Sequence, residues 1–188
     1  MLQWRELGAE ERAAYYTEKL SRDFPPAELK PFATIERMYQ KGAYRCYAFF
    51  DGADEVGYAY LATDGYFTLL DYLAMEPSCR GKGYGSQVLP IITGELIPDG
   101  NTLIIEAENP ACAASLDDRE VRLDRLRFYK KGGMRLTEVL GKAFGVEYRI
   151  FAGGAERADK EVSGGLDAVY AAILPETVYK QNVRIWMP

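Results

Sequence analysis

The sequence contains no histidine among its 188 residues. Any proton transfer must therefore use a carboxylate, tyrosine, cysteine, lysine, a chain terminus or water. The absence also excludes nucleophiles in which histidine activates serine or cysteine, and it excludes histidine-ligated metals.

Cysteine is scarce as well, since Cys46, Cys79 and Cys112 are far apart and odd in number. This spacing indicates neither a disulfide framework nor a CxxC metal site, so we expect no bound metal. No apolar run approaches the roughly 20 residues that cross a bilayer, and the N-terminus lacks a signal-peptide core. We therefore expect a cytoplasmic protein that does not bind a membrane.

Positive charge is in slight deficit, because 23 lysines and arginines face 28 aspartates and glutamates, for a net charge of −5. Nucleic-acid-binding surfaces are usually basic, so this balance argues against a nucleic-acid partner. The remaining composition is typical of globular domains. A chain of this length can bury a core and fits one domain, or one domain with an appendage.

Hydrophobic periodicity predicts a mixed α/β domain without internal repeats. The predicted strands cover residues 2–7, 44–50, 55–62, 67–75, 102–107, 134–140 and 146–151, and the predicted helices cover 9–22, 27–40, 87–96 and 119–131. Further along, Val162, Leu166, Tyr170 and Ile173 recur at helical spacing, which predicts a C-terminal helix with an apolar packing stripe. Pro175 is a start signal for one more short helix.

The most informative segment is the glycine-rich run Arg80–Ser86, which lies between a predicted strand and a predicted helix. Alternate glycines let the backbone bend sharply, and the helix that follows contributes unpaired N–H groups. Arg80 and Lys82 add positive charge, so the segment predicts an anion site that suits a pyrophosphate. Its spacing matches neither G-x-G-x-x-G nor the G-K-[ST] ending of a P-loop. A tight turn that binds no ligand is the alternative.

Residues 73–86 (LAMEPSCRGKGYGS) resemble the acyl-CoA-binding motif [QR]-x-x-G-x-[GA] of the GCN5-related N-acetyltransferases (GNAT), with Arg80, Gly83 and Gly85 at the defining positions. Residues 128–134 (FYKKGGM) are similar to the F-Y-x-x-x-G-F segment of that family. The resemblance covers residues 2–151. The E-x-E-x-P pattern at residues 106–110 and the Tyr-rich tail resemble uncharacterised bacterial members.

The resemblance implies a mostly antiparallel twisted sheet, splayed between its fourth and fifth strands and flanked by helices. It places the GNAT core at residues 1–152 and leaves residues 153–188 as a helical C-terminal extension packed on the core. The extension has three candidate roles, which are to cover the sheet edge, to complete the acceptor site or to form a homodimer contact.

Acetyl-CoA is the donor that the resemblance implies. Its pantetheine would pair with the strand backbone, its pyrophosphate would sit on the loop amides, and a freed N–H near Met75 would stabilise the oxyanion. The implied donor-binding residues are Leu73, Ala74, Met75, Arg80, Gly81, Lys82, Gly83, Tyr84, Gly85, Ser86, Asn109 and Phe128.

A primary amine of a small molecule or peptide would attack the thioester directly, without an acyl-enzyme. Tyr129 matches the family tyrosine that protonates the departing thiolate, and a core-packed tyrosine is the alternative. Glu106 and Glu108 alternate on one strand and are candidate general bases, although ion-paired carboxylates are the commoner outcome. Asp71 and Glu76 are rival bases.

Two other functions stay open. The first is an acyl-CoA-binding or sensing domain that lacks a productive base, and the second, less supported, is another phosphate-binding enzyme. The spacer before Tyr129 is longer than usual and strongly charged over residues 112–125, so it either reshapes the acceptor pocket or forms a solvated helix face.

Overall fold

An open eight-stranded sheet organises the chain, of which the computed structural model describes residues 1–26 and 28–188. Its spatial order is β1-β2-β3-β4-β5-β7-β6-β8, and only β4 and β5 run parallel among the described pairs. The strands are β1 (Gln3–Glu6), β2 (Tyr44–Asp51), β3 (Asp54–Asp64), β4 (Phe67–Met75), β5 (Thr102–Glu108), β6 (Arg135–Ala143), β7 (Val146–Gly154) and β8 (Val183–Trp186). The predicted fold class, a mostly antiparallel sheet flanked by helices, is confirmed.

Helices cover both faces of this sheet. They are α1 (Ala9–Tyr15), α2 (Ser21–Asp23), α3 (Phe32–Gln40), α4 (Tyr84–Ile91), α5 (Leu116–Lys131), α6 (Asp159–Ile173) and α7 (Glu176–Asn182). A π-helical turn (Tyr16–Leu20) joins α1 to α2, and another (Ile92–Leu96) follows α4. No helix within the described ranges has the length and apolar character needed to cross a membrane.

The helix predicted over residues 27–40 begins only at Phe32, and residue 27 lies outside the described residues. Pro31 occupies the N-cap position with extended geometry, so the helix can propagate only after it. The hydroxyl of Tyr72 also holds the preceding segment, because it donates to the Glu28 carbonyl at 2.8 Å and accepts from the Lys30 amide at 3.0 Å.

Strand β8 was not predicted. It pairs antiparallel with β6 at the sheet edge, from Leu140 opposite Trp186 to Ala143 opposite Val183. A four-residue strand carries too little alternation to be distinguished from the end of a helical tail. The chain beyond residue 152 thus contributes a strand as well as helices, while the division into core and extension stays a prediction.

Two hydrophobic cores lie on opposite faces of the sheet. Helices α1, α3 and α6 pack over one face, and α4 and α5 pack over the other. The alternation is visible in β5, where Ile104 belongs to the first core while Leu103 and Ile105 belong to the second.

The sheet opens at β4 and β5. Tyr60 of β3 pairs with Tyr72, and Leu61 pairs with Leu70, so Asp71 is the extra residue of a β-bulge. Pairing between β4 and β5 ends at Leu70 opposite Ile105. Beyond that pair the two strands separate, which confirms the predicted splay between the fourth and fifth strands.

Gly165 of α6 allows the close approach of this helix to β4. A Cβ atom at Gly165 would lie 2.3 Å from Cγ of Phe67, whereas a Cβ at the neighbouring Gly164 would have no atom within 4 Å. We expect Gly165→Ala to reduce the free energy of unfolding by about 1–3 kcal/mol through overpacking. Gly164→Ala should raise it by up to about 1 kcal/mol through helix propensity. Urea unfolding of both variants tests this, and equal stabilities would contradict the contact.

Candidate functional site

The splay exposes backbone groups along one edge of β4. The Glu76 amide donates to the Val56 carbonyl of β3 at 3.0 Å. Because strand peptides alternate in direction, Ala74 also faces β3, while Leu73 and Met75 direct their N–H and C=O groups into the opening. Since β4 and β5 stop pairing at Leu70, this edge can accept an added extended chain.

The glycine loop lies at the end of this same edge. Gly81 and Gly83 have φ values of 73° and 83°, in the left-handed region that glycine tolerates best. Gly83 is the N-cap residue of α4, so the loop turns directly into a helix whose first two amides, those of Tyr84 and Gly85, lack intrahelical acceptors. The exposed Lys82 adds a positive charge beside them. A loop and helix start of this kind can bind an anion, and the anion site stays a prediction.

Three further loop residues have contacts within the protein. A Cβ at Gly85 would lie 3.1 Å from the Phe128 ring, so α4 passes very close to α5 there. The Tyr84 hydroxyl donates to Asp51 at 2.9 Å, and Ser86 donates its amide to the Gly83 carbonyl at 3.1 Å. These contacts fix the start of α4.

Arg80 holds the loop to the N-terminal helices. Its Nη2 lies 2.6 Å from Oδ1 of Asp23, and its Nε donates to the Met75 carbonyl at 3.1 Å. The side chain of Asp23 is only 3% exposed. Burial alone would raise the pKa of Asp23, but hydrogen bonds from Arg22 and Tyr58 hold it below the usual range. Sequence spacing does not indicate this contact between Arg80 and Asp23, because the partners are 57 positions apart.

Tyr129 lies on the face covered by α4 and α5. It is 8% exposed, and its ring contacts those of Phe128 and Phe151, with centroids 5.1 Å and 5.6 Å away. Burial raises the pKa of Tyr129, so the hydroxyl stays protonated at neutral pH. The protonated hydroxyl can donate a hydrogen bond, or transfer its proton, to an anion that forms beside it in the same buried site.

Glu106 lies on the other face and contacts the C-terminal helix. Its Oε2 accepts a hydrogen bond from Tyr170 at 2.7 Å. Burial raises the pKa of Glu106 to about 7, although the Tyr170 hydrogen bond opposes this rise. Oε1 lies 3.5 Å from the position that a Cβ on Gly141 of β6 would take, so the carboxyl group leans away from β4.

Glu108 is held by α5 instead. It forms ion pairs with Arg125 and with Arg122, the latter at 3.3 Å. Arg122 also donates to the Asn109 carbonyl at 3.1 Å, so the charged segment before Tyr129 ties α5 to the end of β5. The Asn109 side chain accepts from the Ala111 amide at 3.1 Å and thereby caps a local turn.

The two rival carboxylates are paired with cations. Asp71 accepts from Lys30 at 2.6 Å and from the Tyr44 hydroxyl. Glu76 accepts from Lys19 at 2.6 Å and from Arg22. Although burial alone would raise the pKa of Glu76, these bonds hold it below the usual range.

Comparison with protein-family models and with curated proteins returns no match. Solved structures do match. A GNAT-family acetyltransferase described from Bacteroides thetaiotaomicron has a TM-score of 0.68 and 21% identity, over 86% of this chain and 92% of its own. The ribosomal-protein-S18-alanine N-acetyltransferase of Escherichia coli has a TM-score of 0.58 and 18% identity, over 84% and 96%. An acetyltransferase described from Salmonella typhimurium with acetyl-CoA has a TM-score of 0.56 and 15% identity, over 83% of this chain and 95% of its own. The chain has the GNAT fold.

The variant Glu106→Gln tests the raised pKa of Glu106 through the pH dependence of the free energy of unfolding. The raised pKa means that the folded protein binds more protons than the unfolded chain between about pH 4.5 and 7, so the free energy of unfolding falls as pH rises through that window. Glutamine cannot titrate, so the difference in free energy of unfolding between wild type and Glu106→Gln should change by up to about 3 kcal/mol across this pH window. Urea unfolding at several pH values measures this difference. Glu10→Gln, on the exposed start of α1, is the control; a flat difference for Glu106→Gln would contradict the raised pKa.

Proposed function

We propose that this protein transfers an acetyl group from acetyl-CoA to a primary amine of a small molecule or peptide. One observation carries the proposal: the open edge of β4 at Leu73 and Met75 is followed, after one 3-10 turn at Pro77–Cys79, by the glycine loop at Arg80–Ser86. A pantetheine chain and a pyrophosphate are joined in the same way, as an extended amide-bearing chain that ends in an anion. The GNAT fold supports the same conclusion.

Donor binding follows from these backbone groups. Leu73 and Met75 would hydrogen-bond the pantetheine amides as an added strand, and the amides at the start of α4 would bind the pyrophosphate. Lys82 would supply charge, while Arg80 would keep the loop in place through Asp23 and the Met75 carbonyl. Asn109 and Phe128 are the other proposed contacts, and Ala74 holds β4 to β3.

The chemistry is a direct attack. Acetyl-CoA supplies an activated thioester, whose carbonyl oxygen becomes an oxyanion when the amine adds. An N–H group at the β4 edge near Met75 would stabilise that oxyanion. Tyr129 would protonate the thiolate as the C–S bond breaks, because its raised pKa keeps its proton available.

Glu106 is the proposed general base. An attacking amine must first lose a proton from its ammonium form, and a carboxylate with a pKa of about 7 accepts one near neutral pH. Since the carboxyl group leans toward β6, we propose that the proton reaches it through a water molecule. Glu108, held between two arginines, would orient the acceptor or the α5 helix instead.

The acceptor is an amine in this proposal, by analogy with the Escherichia coli neighbour, which is described as acting on an alanine of a ribosomal protein. We propose neither a nucleic-acid nor a membrane partner. Residues 153–188 form the proposed C-terminal extension of a core at 1–152, with cytoplasmic localisation and a homodimer as further proposals.

A non-enzymatic acyl-CoA sensor is the second candidate. It is favoured by one observation, which is that neither glutamate of β5 points freely into the opening: Glu106 bonds to Tyr170 and Glu108 to arginines. A sensor would bind acetyl-CoA without transferring the acetyl group.

Calorimetric titration tests the donor site. We expect saturable binding of acetyl-CoA and CoA that ATP does not prevent. Gly83→Ala should weaken binding by about tenfold, since a Cβ in the left-handed region costs roughly 1–2 kcal/mol and disturbs the loop amides. Gly94→Ala is the control, because its Cβ would have no atom within 4 Å. Competition by ATP but not by CoA would overturn the donor assignment.

Tyr129→Phe tests the acid in an assay of CoA release across a panel of amines. We expect kcat to fall by roughly 100-fold while the KM for acetyl-CoA stays the same, because the hydroxyl acts only as the thiolate leaves. Tyr66→Phe, at a tyrosine 66% exposed on the β3–β4 turn, is the control. Full turnover by Tyr129→Phe would remove the assignment, and binding without any transfer by the wild type would favour the sensor.

A further inference from the structure

We propose that Tyr170 of α6 is a positioning residue that fixes the carboxyl group of Glu106 for proton transfer. The inference rests on the proposed function. It joins the C-terminal extension to the site, since Tyr170 lies beyond every segment that resembles the GNAT motifs.

The position of the Tyr170 hydroxyl is set by packing. The side chain is 4% exposed, and its neighbours on the same stripe of α6, Leu166, Val169 and Ile173, are buried in the core beneath the helix. The hydroxyl meets Oε2 of Glu106 at 2.7 Å across 64 positions of sequence. Because the ring is held by this core, the hydroxyl can in turn orient the carboxyl group.

The hydrogen bond distinguishes the two carboxyl oxygens. Tyr170 occupies Oε2, while Oε1 accepts no hydrogen bond from residues 1–26 or 28–188. Oε1 lies over Gly141, where a glycine leaves space: a Cβ there would be 3.5 Å from Oε1 and 3.4 Å from Cδ1 of Ile150. Because Tyr170 occupies Oε2, Oε1 is the oxygen that would take up a proton delivered through water in this proposal.

Other ionisable groups surround Glu106 from each packed element. Lys30, in the segment before α3, favours the ionised carboxylate, whereas Asp71 at the β4 bulge disfavours it. Tyr148 of β7 lies nearby, and burial keeps its hydroxyl protonated. Tyr170 is the direct donor in this group, and burial also raises its pKa well above the usual value. It therefore stays a donor throughout the neutral range.

The Tyr170 hydrogen bond opposes the rise that burial causes in the pKa of Glu106, so removing it should let that pKa rise further. The carboxylate loses the hydrogen bond that favours its charged form, so the pKa of Glu106 should rise. The base would then be protonated over more of the neutral range. If Tyr170 only packed the core, removing its hydroxyl would change the stability of the protein without moving the pKa of Glu106.

Tyr170→Phe tests the proposal through the pH profile of kcat/KM for the amine, measured from about pH 5 to 9. The acid limb should lie near pH 7 for the wild type and move up by about one unit in the variant, with about a tenfold loss of activity below the limb. The KM for acetyl-CoA should not change. Carbon NMR of the labelled glutamate carboxyl groups, assigned with Glu106→Gln, measures the same pKa without turnover.

Tyr179→Phe is the matched control. Tyr179 lies in the same extension and its hydroxyl also donates to a carboxylate, Asp167, but that pair is on the exposed side of α6. The acid limb of the kcat/KM profile should stay near pH 7 in Tyr179→Phe. An unchanged limb in an active Tyr170→Phe would overturn the positioning role alone, whereas a wild-type protein that transfers no acetyl group would overturn the proposed function with it.

Discussion

The β-bulge at Asp71 is the constraint on which the site depends. One extra residue shifts the register of β4 against β3, which stay paired as far as Met75, and the parallel pairing with β5 ends at the adjacent Leu70. The peptide groups of Leu73 and Met75 consequently have no paired strand on the side that faces β5. The bulge also places Asp71 and Tyr72 toward the same face, where Tyr44, Lys30 and the Glu28 carbonyl bind them.

In the proposed reaction, the opening would let residues from the two sheet faces act together. Tyr129 belongs to the core under α4 and α5, whereas Glu106 and Tyr170 belong to the side under α6. A proton donor and a proton acceptor on one face could neutralise each other through a short hydrogen-bonded path. With a strand between them, each would keep a pKa that suits the step proposed for it.

Local patterns were sufficient to predict the loop and its helix, and the resemblance to the GNAT motifs predicted the opening of the sheet. The alternate glycines require the φ values that the structure shows at Gly81 and Gly83, and the motif around Tyr129 fixes its place on α5. Other features could not be predicted, because they join distant positions. Arg80 meets Asp23, and Tyr170 meets Glu106, and nothing in the spacing of these residues indicates either pair.

The π-helical turn at Tyr16–Leu20 limits which insertions and deletions this segment of the chain can tolerate. Relative to an α-helix, such a turn contains about one extra residue, which rotates everything after it by roughly 100°. That rotation brings Lys19 and Arg22 to Glu76, and Asp23 to Arg80. Deleting a single residue there would turn those side chains away together and release the glycine loop. In this segment the number of residues matters more than their identity, so insertions and deletions should be tolerated less well than most substitutions.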